Sequence, residues 1–490
     1  MKFRSSAVTE SCSLCAAALL AVAAFAVAIP RAFTVAASTR PRVGGMLRVE
    51  LRERVPTLDP RVQPNEAQIA RAQEMLDALV FDRLLRFDDR GNPAPALAEA
   101  WQPEDGGKRW QFTLRPGVQF SDGTPLTAEI AAAALASELA TELGSGAHVT
   151  GAGQTLTIES VDAMPELPQQ LATGRNFIFH VAADGTLSGT GPLVVDHWDS
   201  SASPQQVVFA ANAQCWAGRP FVDHIAISLG VGSPRIEADL EFGLADAGEL
   251  APAEMRLAAE RGVRTWSSEP MDLFALAFAP ARPAVQDQRL REAIAAAIDR
   301  NAIANVVLQR QAVPAGALLP EWISGYAFLF PTGPPSPAQV SPDAVKPPAP
   351  LVLVYDSEDA EAHAVAERVI VDLRAAGIAA SAVAGGANSS VGAPAADVRL
   401  VRIPIAQPDP PAALDLVLGA LSAPAAAAED PEALYSAERA ALADFRIVPL
   451  AHASENWGLG AAVRDWMATR WGDLRLDDAW LDRSPTANSQ

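Results

Sequence analysis

The stretch FTLRPGVQFSDGTPLTAEI, residues 112–130, restricts the fold more than any other part of this chain. Phe112 and Leu114 alternate with Thr113 and Arg115, which puts the two apolar side chains on one face of a strand. Pro116-Gly117 makes a turn, with glycine supplying the positive φ. Val118 and Phe120 then return as a second strand, and Ser121-Asp122-Gly123 turns the chain again. Pro125 stiffens the approach to Thr127, a good helix N-cap, and Glu129 places negative charge in the first turn, where the helix dipole favours it. Strand, turn, strand, turn and capped helix therefore follow one another without a catalytic residue among them, so the stretch is scaffold.

The same grammar continues along the chain. GGMLRVEL (44–51) reads as a first strand, and residues 66–85 place Ile69, Ala72, Leu76, Leu79 and Val80 at helical spacing. Asp89-Arg90-Gly91-Asn92 is a hairpin-like turn. Residues 96–115 predict a short helical piece, a Gly-Gly turn and a strand. Residues 237–250 read as mostly helical, MDLFALAF (271–278) as a buried strand, and 288–308 as one amphipathic helix lined by Ile294, Ile298 and Ile303. The eight prolines of residues 331–350 predict a stiff extended loop. Beyond it come a strand (PLVLVYDS), a helix ending at Gly377, further strands at VRLVRIPIA and FRIVPLA, and a helix between the last two. Strands alternating with helices over 490 residues predict α/β architecture with mixed sheets and more than one core.

The N-terminus predicts export. Lys2 and Arg4 precede the uncharged run AAALLAVAAFAVAI (16–29), which is short for a membrane span and suited to a signal-peptide core. Val35-Ala36-Ala37 offers small residues for cleavage near Ala37, so residues 1–37 are assigned as signal peptide, with an uncleaved anchor as the alternative. Cys12 and Cys15 would leave with it, and Cys215, the third cysteine, would stay as a buried inert thiol. A formal net charge of −20 without a basic stripe argues against nucleic acid as a partner.

Several stretches together resemble the large extracytoplasmic solute-binding proteins of ABC transporters, the oligopeptide/dipeptide/nickel-binding class (family 5). They are TLDP (57–60), residues 95–130, TGPLVV (190–195), ANAQCWAGRPFVDHI (211–225), DQRLREAIAAAIDRNAI (287–303), PAGALLP (314–320) and RIVPLA (446–451), in the family's order. The resemblance implies an α/β two-lobed clamp, like periplasmic binding proteins, that closes on its ligand by a hinge. It implies a first lobe from 38–56, 171–268 and 441–490, an extra subdomain from 57–170, and a second lobe from 269–440. The second lobe departs from the family's pattern in its Pro-rich 331–350 and Ala/Pro-rich 381–430 regions.

Candidate ligand contacts follow from the resemblance and from residue chemistry. In peptide-binding relatives an acid near an Asp-Pro holds the ligand's amino terminus, and Asp409 is the nearest match here; a turn Asp in solvent is the alternative. Arg402 offers a bidentate grip on a carboxylate, or a surface charge. Arg54 and Thr57 lie in the segment whose backbone lines the cleft in relatives, and Trp322 with Tyr326 offers an aromatic wall or core packing. The six histidines lack ligand spacing, and no G-x-S-x-G or H-E-x-x-H occurs, so no catalytic residue, metal or cofactor is expected. The expected function is a monomeric periplasmic receptor that captures a peptide or similar small solute for an ABC transporter permease. The alternative is a diverged clamp serving as a sensor or protein-interaction scaffold.

Overall fold

The computed structural model describes residues 41–490 except 65, 89, 144–145, 334–348, 386–395, 427–429, 471 and 484–490. The segment expected to be a signal peptide, most of the Pro-rich stretch and part of the Ala/Pro-rich region therefore lie outside the described residues.

Two mixed sheets organise the chain. The first runs Leu193–Asp199, Gln205–Ala211, His224–Leu229, Met46–Leu51, Ala247–Glu249, Asn456–Leu459, Arg264–Ser267 in spatial order. Its strand Met46–Leu51 pairs in parallel with both neighbours, whereas the outer strands pair antiparallel. Leu47, Val49, Leu51, Ile225, Ile227 and Phe209 form one buried face of it. Helix α1, Ala67–Val80, packs into the same core through Ala72, Met75, Leu76, Leu79 and Val80. Residues 67–80 fall within the 57–170 expected for the extra subdomain, and their apolar stripe packs against the first sheet.

The extra subdomain has its own core around a four-stranded antiparallel sheet, Ala98–Glu104, Arg109–Leu114, Thr155–Glu159 and His148–Ala152. Trp110, Phe112 and Leu114 are buried while Thr113 is exposed, as the alternation predicts. Val118 and Phe120 are buried too, but only the bridge between Gln119 and Pro125 forms there, so that return is a bonded turn instead of a strand. Helix α2, Ala128–Glu142, starts at Thr127, whose hydroxyl accepts from the Ile130 N–H at 3.4 Å. Residues 98–104 are a strand where a short helix was expected, because they pair with Arg109–Leu114 across the Gly-Gly turn. The segment TGPLVV, which leads into the edge strand Leu193–Asp199, packs tightly on the end of α1: a Cβ on Gly191 would stand 2.7 Å from the Val80 carbonyl, so only glycine allows the contact.

The second sheet runs Ala312–Pro314, Ile447–Ala453, Asp272–Phe278, Val398–Pro404, Leu351–Asp356, Ala380–Gly385. Helix α3, Ala360–Ala375, covers it through Val365, Val369, Ile370 and Leu373, and helix α4, Pro410–Ala420, buries Leu414 and Val417 in a second layer. The helix expected over 288–308 breaks at Ile298, whose backbone is extended; Asp299 caps a new turn by accepting from the Ala302 N–H at 3.0 Å. Residues 237–250 likewise divide, into the helix Ser233–Glu241 and the strand Ala247–Glu249.

The chain passes between the two sheets twice, at 268–271 and at 454–455, and the crossings are bonded together. Ser268 N–H donates to the Glu455 carbonyl at 2.9 Å, Met271 N–H to the Ala453 carbonyl at 2.8 Å, and Glu455 N–H to the Ser268 hydroxyl at 2.9 Å. Ile447–Ala453, within the 441–490 expected for the first lobe, is a central strand of the second sheet, and Asn456–Leu459 lies in the first.

Candidate functional site

The two lobes meet through an ionic chain. Arg52 follows the first strand of the chain, and its Nε donates to Glu249 Oε1 at 3.2 Å within the first lobe. Its terminal nitrogens reach across to Glu361 in the first turn of α3, at 3.1 Å to Oε2 and by a shorter contact to Oε1. Glu361 Oε2 also accepts from Arg402 Nη1 at 3.2 Å, and Arg402 Nε donates to Asp272 Oδ2 at 2.8 Å. Asp359, the N-cap of α3, takes a further bond from Arg402 at 3.3 Å, and the Arg402 guanidinium lies over the Phe274 ring. Burial alone would raise the Glu361 carboxyl, but Arg52 and Arg402 outweigh it and hold this acid at about 2. Nearby acids lack that degree of compensation. Burial, reinforced by Glu249, pushes Glu53 up to about 7; burial, only partly offset by Arg71, pushes Glu455 up to about 7.

Beside this chain, both lobes and the extra subdomain line a half-open cavity of about 340 Å³. The first lobe contributes one face of α1, including Ala70, Gln73, Glu74 and Asp77, with Gly174 and Phe177. The subdomain contributes Glu138 from α2, and the second lobe Ile403, Pro404, Gln407 and Leu416. Gln407 Nε2 donates to Thr173 Oγ1 at 3.0 Å, a further bond between the lobes at the cavity's edge. A volume near the lower end of the ~300–1,000 Å³ common for small-molecule sites suits a compact solute. Among the described residues, no group of three or more His, Cys, Asp and Glu is arranged to hold a metal ion.

Family membership is decided by sequence comparison. The profile described as bacterial extracellular solute-binding proteins, family 5 middle, matches residues 92–423. The chain belongs to family 5 of the bacterial extracellular solute-binding proteins. It is 26% identical to the nickel-binding periplasmic protein of Escherichia coli (strain K12) over 260 residues, 47% of this chain and 48% of that one. It is 29% identical to Protein XP55 of Streptomyces lividans over 262 residues, 49% of this chain and 47% of that one. The chain thus spans about half the length of the curated relatives it matches. Among solved structures it resembles NikA from Brucella suis in complex with Fe(III)-EDTA, with 19% identity, a TM-score of 0.75, and coverage of 89% of this chain and all of that one. It also resembles the oligopeptide-binding protein AppA from Bacillus subtilis in complex with a nonapeptide, with 15% identity, a TM-score of 0.72, and coverage of 90% and 100%. At such identities these two structures establish the fold, the two-lobed α/β clamp of periplasmic binding proteins.

In this family 5 clamp the residues singled out from sequence are dispersed. Arg402 is at the interface of the lobes, but Asp272, Asp359 and Glu361 occupy its donors. Asp409 caps α4 by accepting from the Ala412 N–H at 3.1 Å, close to the cavity wall but outside it, and burial raises its carboxyl. Tyr326 is buried against Phe330 and Tyr435, with its hydroxyl facing Glu438. Trp322 donates from its indole to the Pro270 carbonyl at 2.7 Å; both aromatics pack in the second-lobe core and not along the cavity. Arg54 is exposed and bonds the Ala202 carbonyl at 3.3 Å, and the Thr57 hydroxyl accepts from the Asp59 N–H at 3.1 Å within its turn. Cys215 is a half-buried free thiol, raised by burial.

Arg52, Glu249 and Glu361 left no signal in the sequence, because Arg52 stands 197 residues from Glu249 and 309 from Glu361. The polar residues of α1 did leave a signal. Gln73 and Asp77 stand one turn apart among Ala72, Met75, Leu76 and Leu79, and a polar pair placed inside an apolar helix needs partners.

Proposed function

We propose that this protein is the extracytoplasmic solute-binding component of an ABC transporter, working in the periplasm as a monomer. It captures a peptide or similar small solute between its lobes and presents it to the membrane permease, with no chemistry on the solute. The observation that carries this reading is the cavity whose walls come from both lobes, with the paired crossings 268–271 and 454–455 as the hinge. A solute touching Gln73 and Asp77 on one side and Gln407 and Ile403 on the other favours the closed arrangement by its contacts with both. Family membership supports capture and delivery, and the acidic surface, with its net charge of −20, disfavours nucleic acid.

A thermal-shift panel of dipeptides, tripeptides, metal chelates and small amines tests this. At least one member raises the melting midpoint in a concentration-dependent way. A panel in which no small solute moves the midpoint, while a partner protein does, would overturn the receptor reading.

A further inference from the structure

The cavity wall shows which charge its occupant bears. Each guanidinium on or beside the wall already has a carboxylate. Arg71 pairs with Asp473 at 2.9 Å and Glu455 at 3.5 Å. Arg83 donates to Glu74 at 2.6 Å, and Arg175 lies 3.8 Å from Glu138 while also donating to Gln63 and the Pro60 carbonyl. Asp77 has no such partner among the described residues. It is only 3% exposed, its Oδ2 receives one long 3.5 Å contact from Gln73, and its Oδ1 accepts nothing.

Gln73 strengthens the point. It is also 3% exposed, and its amide nitrogen donates to the Val62 carbonyl at 2.8 Å and the Asp59 carbonyl at 3.1 Å. Those bonds fix which end of the amide is which, so its Oε1 is an acceptor, and that acceptor is unfilled. From the other lobe, Gln407 spends its nitrogen on Thr173, and its Oε1 is unfilled too. Three side chains of one cavity lining, Asp77, Gln73 and Gln407, therefore each carry a buried acceptor with no donor among the described residues, and one of the three is a carboxylate. Leaving such groups unmatched is costly, and a donor with positive charge is the most effective remedy.

Resting on the receptor reading above, we propose that the solute is a compact organic cation. Its ammonium or guanidinium head sits on Asp77, Gln73 and Gln407, and its hydrocarbon part lies against Phe177, Ile403 and Leu416. Burial, with Glu74 adding to it, pushes the empty Asp77 carboxyl up to about 7, which is the state a bound cation would relieve. Selectivity follows from the same geometry: a neutral isostere loses the charge-assisted bond, and an anion meets a wall whose arginines are already engaged.

Isothermal titration calorimetry on the full exported chain tests this with three probes of matched shape: butylguanidinium, butylurea and pentanoate. The guanidinium is expected to bind at least tenfold tighter than the urea, with no heat from pentanoate. Asp77→Asn, which removes a carboxyl already disfavoured by burial and so keeps the fold, is expected to cancel the preference. Gln407→Leu, on the opposite lobe, is expected to weaken the guanidinium severalfold. Equal affinity for guanidinium and urea, or an Asp77→Asn variant that keeps the preference, overturns the proposal. Binding of pentanoate alone also overturns it while leaving the receptor reading intact. Silence from all three overturns the cation, and the wider thermal-shift panel then judges the receptor reading separately.

Discussion

Glu361 is the residue on which the closed arrangement depends most. It lies between Arg52 of one lobe and Arg402 of the other, largely out of water, and stays ionised because both are there. Removing one member of such a buried set costs roughly 3–5 kcal/mol, because the remaining charges lose their partner. Glu361→Ala is therefore expected to lower the melting midpoint and open the cleft, read as an increased radius of gyration in small-angle scattering. Pairing Arg52→Met with Glu361→Leu is expected to restore part of the midpoint, because Arg402 keeps Asp272 and Asp359 while Glu249 loses its guanidinium and keeps the backbone N–H of residue 52. Asp77, Glu53 and Glu455 act in the opposite sense on pH. Their folded values of about 7 lie above the ordinary values near 4 of an unfolded chain, so the folded state holds protons that the unfolded state has lost. The stability they confer is complete below about pH 4 and is lost as pH rises through about 7. Glu361, depressed to about 2, adds stability that is present above about pH 4.3 and lost as pH falls through about 2. Melting scans should therefore place the most stable range between about pH 4.5 and 6, with a lower midpoint at about pH 8. A midpoint that rises steadily from about pH 5 to 8 contradicts this assignment of charges.

At the scale of elements, local chemistry was legible wherever it decided the outcome. Thr127 begins α2 as its cap, and Thr127→Ala is expected to cost about 1 kcal/mol in denaturant unfolding. Helix α3 ends before Gly377, which takes φ +77°, as a C-terminal glycine allows. Where tertiary pairing decided, the pattern misled. Residues 98–104 have helix-forming composition but sit against Arg109–Leu114 and become a strand. The 288–308 periodicity passes through Ile298, yet Asp299 can cap a second turn and does, so one expected helix becomes several short pieces. Gly189 makes the strongest element-level prediction: a Cβ there would come within 1.9 Å of the Val80 carbonyl, so Gly189→Ala must displace α1 or its own loop. The expected effect is a loss of at least about 2 kcal/mol, with faster hydrogen exchange in α1.

For the whole molecule, the two-lobed clamp was legible because short motifs in the right order identify a fold even when each is weak. The candidate site was much less so. Arg402, Asp409, Trp322 and Tyr326 have the right chemistry for a ligand, yet the fold uses each to hold itself together: in an ionic chain, as a cap, and in an aromatic core. Cavity residues such as Gln73 and Asp77 look like interruptions in an apolar helix until the second lobe is brought over them. The central claim is that these lobes close on a small guest, and native mass spectrometry of the protein purified from its own host tests it most directly. The account predicts a folded monomer carrying one solute of about dipeptide size, released by mild activation or by Asp77→Asn. A bare monomer that gains no mass with any member of the solute panel, or a species whose only added mass is another protein, would contradict it.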